Sequence, residues 1–103
     1  MPIRTHEENG LLTVFLSGDI DHASARGMML VLDREVAQRL PQTLRVDMSA
    51  VTFMDSSGIA VLLRCWRRTQ ELHGSMEVVS VPHQPWKVFS AAGLPKIIPM
   101  KTL

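Results

Sequence analysis

The spacing of hydrophobic positions changes several times along this chain, and each change marks an element. From Leu11 to Ser17 apolar and polar residues alternate: Leu12, Val14 and Leu16 share one face, with Thr13 and Ser17 on the other. That period predicts a half-buried strand. Ile3 to Glu8 is a weaker strand candidate. Asn9-Gly10 lies between the two, and both residues tolerate positive φ, which predicts a tight hairpin. Gly18 is expected to break the second strand. A longer period then begins. Ala25, Met29, Leu32 and Val36 are spaced four, three and four apart, the stripe of an amphipathic helix. Asp21 or Ser24 can cap it, and Pro41 stops it after about Leu40.

Alternation returns at Leu44-Arg45-Val46-Asp47-Met48, a predicted strand, followed by an expected turn through Ser49 to Phe53. A second helix is expected from Asp55 or Ser56 to about His73, with Ile59, Leu62, Leu63 and Trp66 as its core stripe. Gly74 suits the left-handed position after its end. Met76 to Val81 alternates as a further strand, ended by Pro82. A short helix is expected from about Gln84 to Ala92, with Pro85 near its first position, Trp86 and Phe89 buried, and Gly93 as its cap. Ile97-Ile98 reads as the last strand, closed by Pro99. The order is β-β-α-β-α-β-α-β. Strands alternating with helices predict an α/β fold with a mixed, mainly parallel sheet and an N-terminal hairpin edge. A parallel sheet covered on both faces shows continuous apolar strands. These strands alternate, so the helices are expected mainly on one face.

Composition narrows the function classes. The 103 residues suit one domain, 1–103. A net charge of +1 gives no basis for strong electrostatic binding to nucleic acid. The densest basic group, Arg64, Arg67 and Arg68, reads as the solvated face of one helix. The single cysteine, Cys65, allows no intrachain disulfide and is expected to be small and partly buried. The N-terminus lacks the apolar segment of a secretion signal, and no apolar run approaches the length of a membrane span. A cytoplasmic protein is expected. His6, His22, His73 and His83 are scattered without ligand spacing, so no metal and no cofactor are expected. Ser56, Asp21 and a histidine could suggest a hydrolase, but no G-x-S-x-G elbow is present, and the chain is not expected to be an enzyme.

Asp55-Ser56-Ser57-Gly58 stands between a strand exit and a strong helix. Its plainest role is a cap, since Asp and Ser accept from the free N–H groups of a first turn. Two features go further. Two hydroxyls stand where one would cap. Gly58 lies inside the first turn, where glycine is costly compared with alanine, so some group is expected to approach the backbone closely. A helix N-terminus can hold a phosphoryl group, and phosphoserine there would set a strong negative charge beside Asp55.

Val51 to Leu62, with Met54-Asp55-Ser56-Ser57-Gly58-Ile59 at its centre, closely resembles the signature of STAS domains, and within them of bacterial anti-sigma factor antagonists. Leu16-Ser17-Gly18-Asp19-Ile20-Asp21-His22 resembles the family's turn after its second strand. Val46-Asp47-Met48-Ser49 resembles the strand before the signature, and Phe89 to Ile98 the late segment with its Gly-Leu. The resemblance spans nearly the whole chain in one order. It implies a partner switch. The unphosphorylated protein binds an anti-sigma factor that is also a serine kinase, and so releases the sigma factor; sporulation factor F is the first expectation. The kinase phosphorylates the first serine after the aspartate and is released, and a serine phosphatase resets the switch. Carried over, Ser56 is the phosphoacceptor and Ser57 a secondary one. Asp21, Asp55, Ser56, Ser57, Gly58 and Ile59 form the partner-binding surface. Family members commonly add a helix after the last strand, a segment this sequence does not contain.

Two other readings differ in what Ser56 should be. A STAS interaction subunit of a stress-response or lipid-transport assembly needs no phosphoacceptor. A phosphoaspartate receiver with Asp47 as acceptor needs an acidic pair after the first parallel strand, and the strand count before Asp47 does not fit.

Overall fold

The computed structural model describes residues 2–103. Five strands form one sheet in the order β1-β2-β3-β4-β5. β1 (Ile3–Glu8) runs antiparallel to β2 (Leu11–Ile20), and β3 (Thr43–Met54), β4 (Ser75–Val81) and β5 (Met100–Thr102) follow parallel to it. Between them lie α1 (His22–Arg39), α2 (Ser57–Glu71) and α3 (His83–Ala91). The parallel strands advance in one direction across the sheet. Right-handed crossovers then carry all three helices to the same face. Leu12, Val14, Leu16, Leu44, Val46, Met48, Met76 and Val78 form the covered face and are buried. The opposite face carries polar rows held by cross-strand pairs. Arg45 Nε lies 2.9 Å from Glu77 Oε2, Thr43 and Ser75 hydroxyls lie 3.1 Å apart, and the Arg4 guanidinium sits over the Phe15 ring.

Local chemistry explains the joints. Asn9 (φ 51°) and Gly10 (φ 82°) are both left-handed, as the hairpin requires. Asp21 caps α1 in a reciprocal box: its carboxylate accepts from the Ser24 N–H, and the Ser24 hydroxyl accepts from the Asp21 N–H, each at 3.0 Å. So the two cap candidates work as a pair. α1 ends at Leu40, which is left-handed (φ 47°) and donates its N–H to Val36. Pro41 follows and cannot extend the helix.

Several expectations are corrected. The turn expected at Ser49 to Phe53 is strand: β3 runs on to Met54. Gly18 does not end β2, which pairs on to Ile20. Between Phe15 and Ser17, and again between Gly18 and Asp19, β3 spends one residue more than β2. These bulges shift the buried positions to Met48, Val51 and Met54, a spacing of three that does not read as a strand. Asp47 Oδ1 holds the first bulge by accepting from the Ser49 N–H and hydroxyl. Ile97-Ile98 is not a strand. Leu94–Lys96 form a 3-10 turn, Ile98 drops into the core, and the last strand starts after Pro99.

The expected stripe of α1 holds at Ala25, Leu32 and Val36 and differs at one residue, while that of α2 is rotated by about one position. α1 buries Met28 rather than Met29, and α2 buries Gly58, Val61, Leu62, Cys65 and Thr69. Ile59, Leu63, Trp66 and Trp86 pack against the core half-buried. The left-handed residue after α2 is His73 (φ 58°). Gly74 is needed for space instead, because a Cβ there would lie 2.9 Å from the Gln42 carbonyl oxygen. α3 begins at His83, so Pro85 is its third residue.

Candidate functional site

The site lies where two neighbouring parallel strands end together. Ile20 and Met54 are the last paired residues of β2 and β3, and the Asp55 N–H donates to the Ile20 carbonyl at 3.0 Å. Asp21 and Asp55 are the next residue on each strand, so the register brings them side by side. Ligand and partner sites in α/β proteins favour the carboxyl ends of parallel strands.

Each carboxylate serves a helix. Asp21 caps α1. Asp55 Oδ1 accepts the Ser57 N–H at 2.8 Å and so supplies the acceptor that α2 needs at its start. Ser56 occupies the cap position of α2, but its hydroxyl makes no capping bond and its backbone is already helical (φ −63°, ψ −15°). The aspartate performs the capping task that the serine beside it is equally suited to perform. Ser56 is left exposed, its hydroxyl without a hydrogen-bond partner among the described residues, while Ser57 is half-buried.

The odd glycine has an internal cause. Gly58 is buried, and a Cβ on it would fall 2.3 Å from Met54 Sδ and 2.5 Å from Met54 Cγ. The close approach inferred from the sequence comes from this fully buried methionine of the preceding strand. Of the six residues expected at the surface, Gly58 thus contributes through packing, and Ile59 presents a half-buried apolar side.

Ser56 and Ile59 form one wall of a groove of about 660 Å³, and α3 forms the other with Gln84, Lys87, Val88 and Ala91. Those α3 positions fall at i, i+3, i+4 and i+7, one face of a helix. The groove is fixed from below. Gln84 Oε1 accepts the Met54 N–H at 2.8 Å, and Gln84 Nε2 donates to the Met54 carbonyl at 2.7 Å. Phe53, 44% exposed, stands beside this end of the sheet. Gln84, Lys87 and Phe53 were not singled out from the sequence. A spacing of 84, 87, 88 and 91 was there to be read, but its partner on α2 was not.

The remaining candidates fall away from this site. Arg64 and Arg68 are not simply solvated, since both reach Asp33 of α1, at 2.7 and 3.7 Å. The Asp33 hydrogen bond and charge raise the already high pKa of Arg64. Cys65 is buried rather than partly exposed. Among the described residues, no group of three or more His, Cys, Asp or Glu side chains could hold a metal ion, and no helix is long and apolar enough to cross a membrane.

The chain belongs to the STAS domain family, whose model matches residues 2–102. It is 28% identical over 100 residues to the anti-sigma F factor antagonist of Paenibacillus polymyxa, an alignment covering 97% of this chain and 86% of that one. Among solved structures it is similar to an anti-sigma factor antagonist from Mycobacterium paratuberculosis, with a TM-score of 0.87, 26% identity, and 98% and 85% of the two chains covered. The anti-sigma factor antagonist SpoIIAA in its unphosphorylated form shares the fold, with a TM-score of 0.81 at 21% identity over 97% of this chain and 88% of that one.

Proposed function

We propose that this protein is an anti-sigma factor antagonist whose binding is switched off by phosphorylation of Ser56. The observation that carries the reading is the free, exposed Ser56 hydroxyl at a helix start whose capping is done by Asp55. A serine engaged in the cap would have its hydroxyl committed to a backbone N–H and less open to a kinase. Here the fold leaves the hydroxyl unused. The name of the Paenibacillus relative supports the class and favours sigma factor F as the one released.

The partner is an anti-sigma factor with serine kinase activity, acting in the cytoplasm. The unmodified protein docks through Asp21, Asp55, Ser56, Ser57 and Ile59, with Gly58 setting the packing beneath, and the sigma factor is freed. In the kinase reaction Ser56 Oγ attacks the γ-phosphorus of ATP. The Oγ–P bond forms, the bond to the β-phosphate oxygen breaks, ADP leaves, and the hydroxyl proton passes to a base of the kinase. The product carries about 1.5 to 2 negative charges at neutral pH where the partner surface had met a neutral hydroxyl. A serine phosphatase hydrolyses the ester and restores binding. Catalysis belongs to those partners, and this chain acts as substrate and switch, with no metal or cofactor of its own.

The test is incubation with the anti-sigma factor kinase and ATP, followed by peptide mass spectrometry. One phosphate on Ser56, absent from Ser56→Ala, is the expected result. A phosphate on another residue, or none, overturns the assignment. Ser57 then serves as the internal control, because its half-buried position predicts little modification.

A further inference from the structure

We propose that Lys87 of α3 is the counter-charge for a phosphoryl group on Ser56, drawing it into the α2–α3 groove so that phosphorylation closes that groove. This rests on the reading of Ser56 as phosphoacceptor and adds how the modified state is held.

Four observations converge. Ser56 and Lys87 line the same groove from opposite walls, and Lys87 is the one charged residue in its lining. Among the described residues, Lys87 makes no ion pair, so its ammonium is not committed elsewhere. The two walls are held in register. Gln84 is bonded to the Met54 backbone in both directions, Ser56 follows Met54 by two residues, and Lys87 follows Gln84 by one helical turn. The rest of the groove is mostly apolar, with Ile59, Val88 and Ala91, and offers the phosphoryl group no competing charge.

The charges on the other side point the same way. Asp21 and Asp55 stand at the strand ends, each already accepting a backbone N–H. A dianion on Ser56 is repelled from that side and attracted by Lys87. The phosphoryl group therefore turns into the groove instead of standing out as a charged knob. Ile59 and Val88, which would receive an apolar side chain of a partner, are then covered by the protein's own phosphate.

The experiment does not need the kinase. Phosphoserine is inserted at position 56 during translation, and the phosphate is titrated by phosphorus NMR in the folded protein. The groups facing it are Asp21 and Asp55 from the strand ends and Lys87 from α3. The carboxylates raise its second ionisation and the lysine lowers it. Lys87→Met is expected to move that ionisation up by roughly half a unit, the size of one charge a few ångströms away in a wet groove. Lys87→Arg is expected to keep the parent value, which a purely structural role of the side chain would not require. The amide signals of Ile59 and Val88 are expected to move on phosphoserine insertion in the parent and to move less in Lys87→Met. A phosphate that titrates identically in parent and Lys87→Met overturns the proposal. Failure of the kinase to modify Ser56 would instead overturn the phosphoacceptor reading, and the two failures are read in separate experiments.

Discussion

The side chain of Gln84 stands in for a strand beside Met54. Its amide accepts the Met54 N–H and donates to the Met54 carbonyl, at 2.8 and 2.7 Å. The need arises from unequal strand lengths. The β3–β4 ladder ends at the pair Asp47 and Val79, while β3 continues to Met54. Past Asp47 the backbone groups facing that side lack a strand partner, and an unpaired buried backbone group is costly. One side chain from the first turn of α3 satisfies both at Met54 and ties that helix to the end of the sheet that carries Asp21 and Asp55. Gln84→Ala is expected to cost about 1–2 kcal/mol, two modest hydrogen bonds that water can partly replace. Thermal unfolding should show a fall of roughly 4–8 °C per kcal/mol for a domain of this size. Gln84→Glu keeps an acceptor for the N–H but loses the donor, and should leave the Met54 carbonyl unsatisfied. Hydrogen exchange at the Met54 amide separates the two variants: protection falls in Gln84→Ala and is better kept in Gln84→Glu.

Gly58→Ala sets two effects against each other. Alanine is favoured over glycine in a helix by about 1 kcal/mol. Its Cβ, however, would lie far inside contact distance of Met54 Sδ and Cγ. Met54 is flexible by type but fully buried, so moving it disturbs the core. Overpacking of this kind costs about 1–3 kcal/mol, and the net outcome is expected to be destabilising. A double-mutant cycle with Met54→Ala checks the cause. Met54→Ala alone is expected to lose about 2–5 kcal/mol. Adding Gly58→Ala to it should cost nothing further or restore stability, because the clash is gone and the propensity gain remains. Additive losses would refute the packing account of this glycine.

Much of this arrangement could be read from the sequence, and the unread parts have specific causes. The hairpin at Asn9-Gly10, the alternating strands and the first helix cap follow from local chemistry, and local chemistry decided them. The end of β3 did not. Its two bulges place Met48, Val51 and Met54 inward at a spacing no simple strand shows. Ile97-Ile98 looked like a strand because it is apolar, whereas the real last strand is the mostly exposed Met100–Thr102, placed by its parallel pairing to β4. Neighbouring apolar residues such as Met28 and Met29 fit two stripe phases equally, so burial was misplaced by one position. At the site, the segment Asp55 to Gly58 was legible as a unit, but not the division of labour within it. Which of Asp55 and Ser56 caps depends on the backbone angles at Ser56. The opposing wall of the groove depends on a contact between residues 30 apart, Met54 and Gln84, that no local pattern announces.

That division of labour makes a direct comparison possible. Asp55→Ala removes the acceptor for the Ser57 N–H and is expected to cost about 1 kcal/mol, the usual worth of a helix cap. Ser56→Ala removes a hydroxyl that caps nothing and is exposed, so unfolding in urea should be within about 0.5 kcal/mol of the parent. The order reverses in function. Ser56→Ala should abolish phosphorylation while leaving binding to the anti-sigma factor intact, and Ser56→Asp should weaken that binding. A Ser56→Ala protein as destabilised as Asp55→Ala would mean that the serine is a cap after all.

Cys65 supplies a test of the core between α2 and the sheet. Burial pushes its thiol from an ordinary value of 9.0 up to about 12, and the nearby Asp33 charge acts in the same direction. The unfolded chain therefore releases this proton at lower pH than the folded protein does. Stability from the buried thiol is fully present below about pH 9 and is lost as the pH rises toward about 12. Cys65→Ala is expected to cost about 1 kcal/mol at neutral pH, the scale of a small buried truncation. Above pH 9, however, its stability should fall less steeply than that of the parent, so that the two curves meet and cross before about pH 11. The thiol chemistry follows from the same burial. A thiolate is the reactive form, and this one is both suppressed and shielded. Iodoacetamide at pH 8 should leave the native protein nearly unmodified and alkylate Cys65 rapidly once urea unfolds it. Equal rates in the two states would show that the space between α2 and the sheet opens to solvent in the native protein.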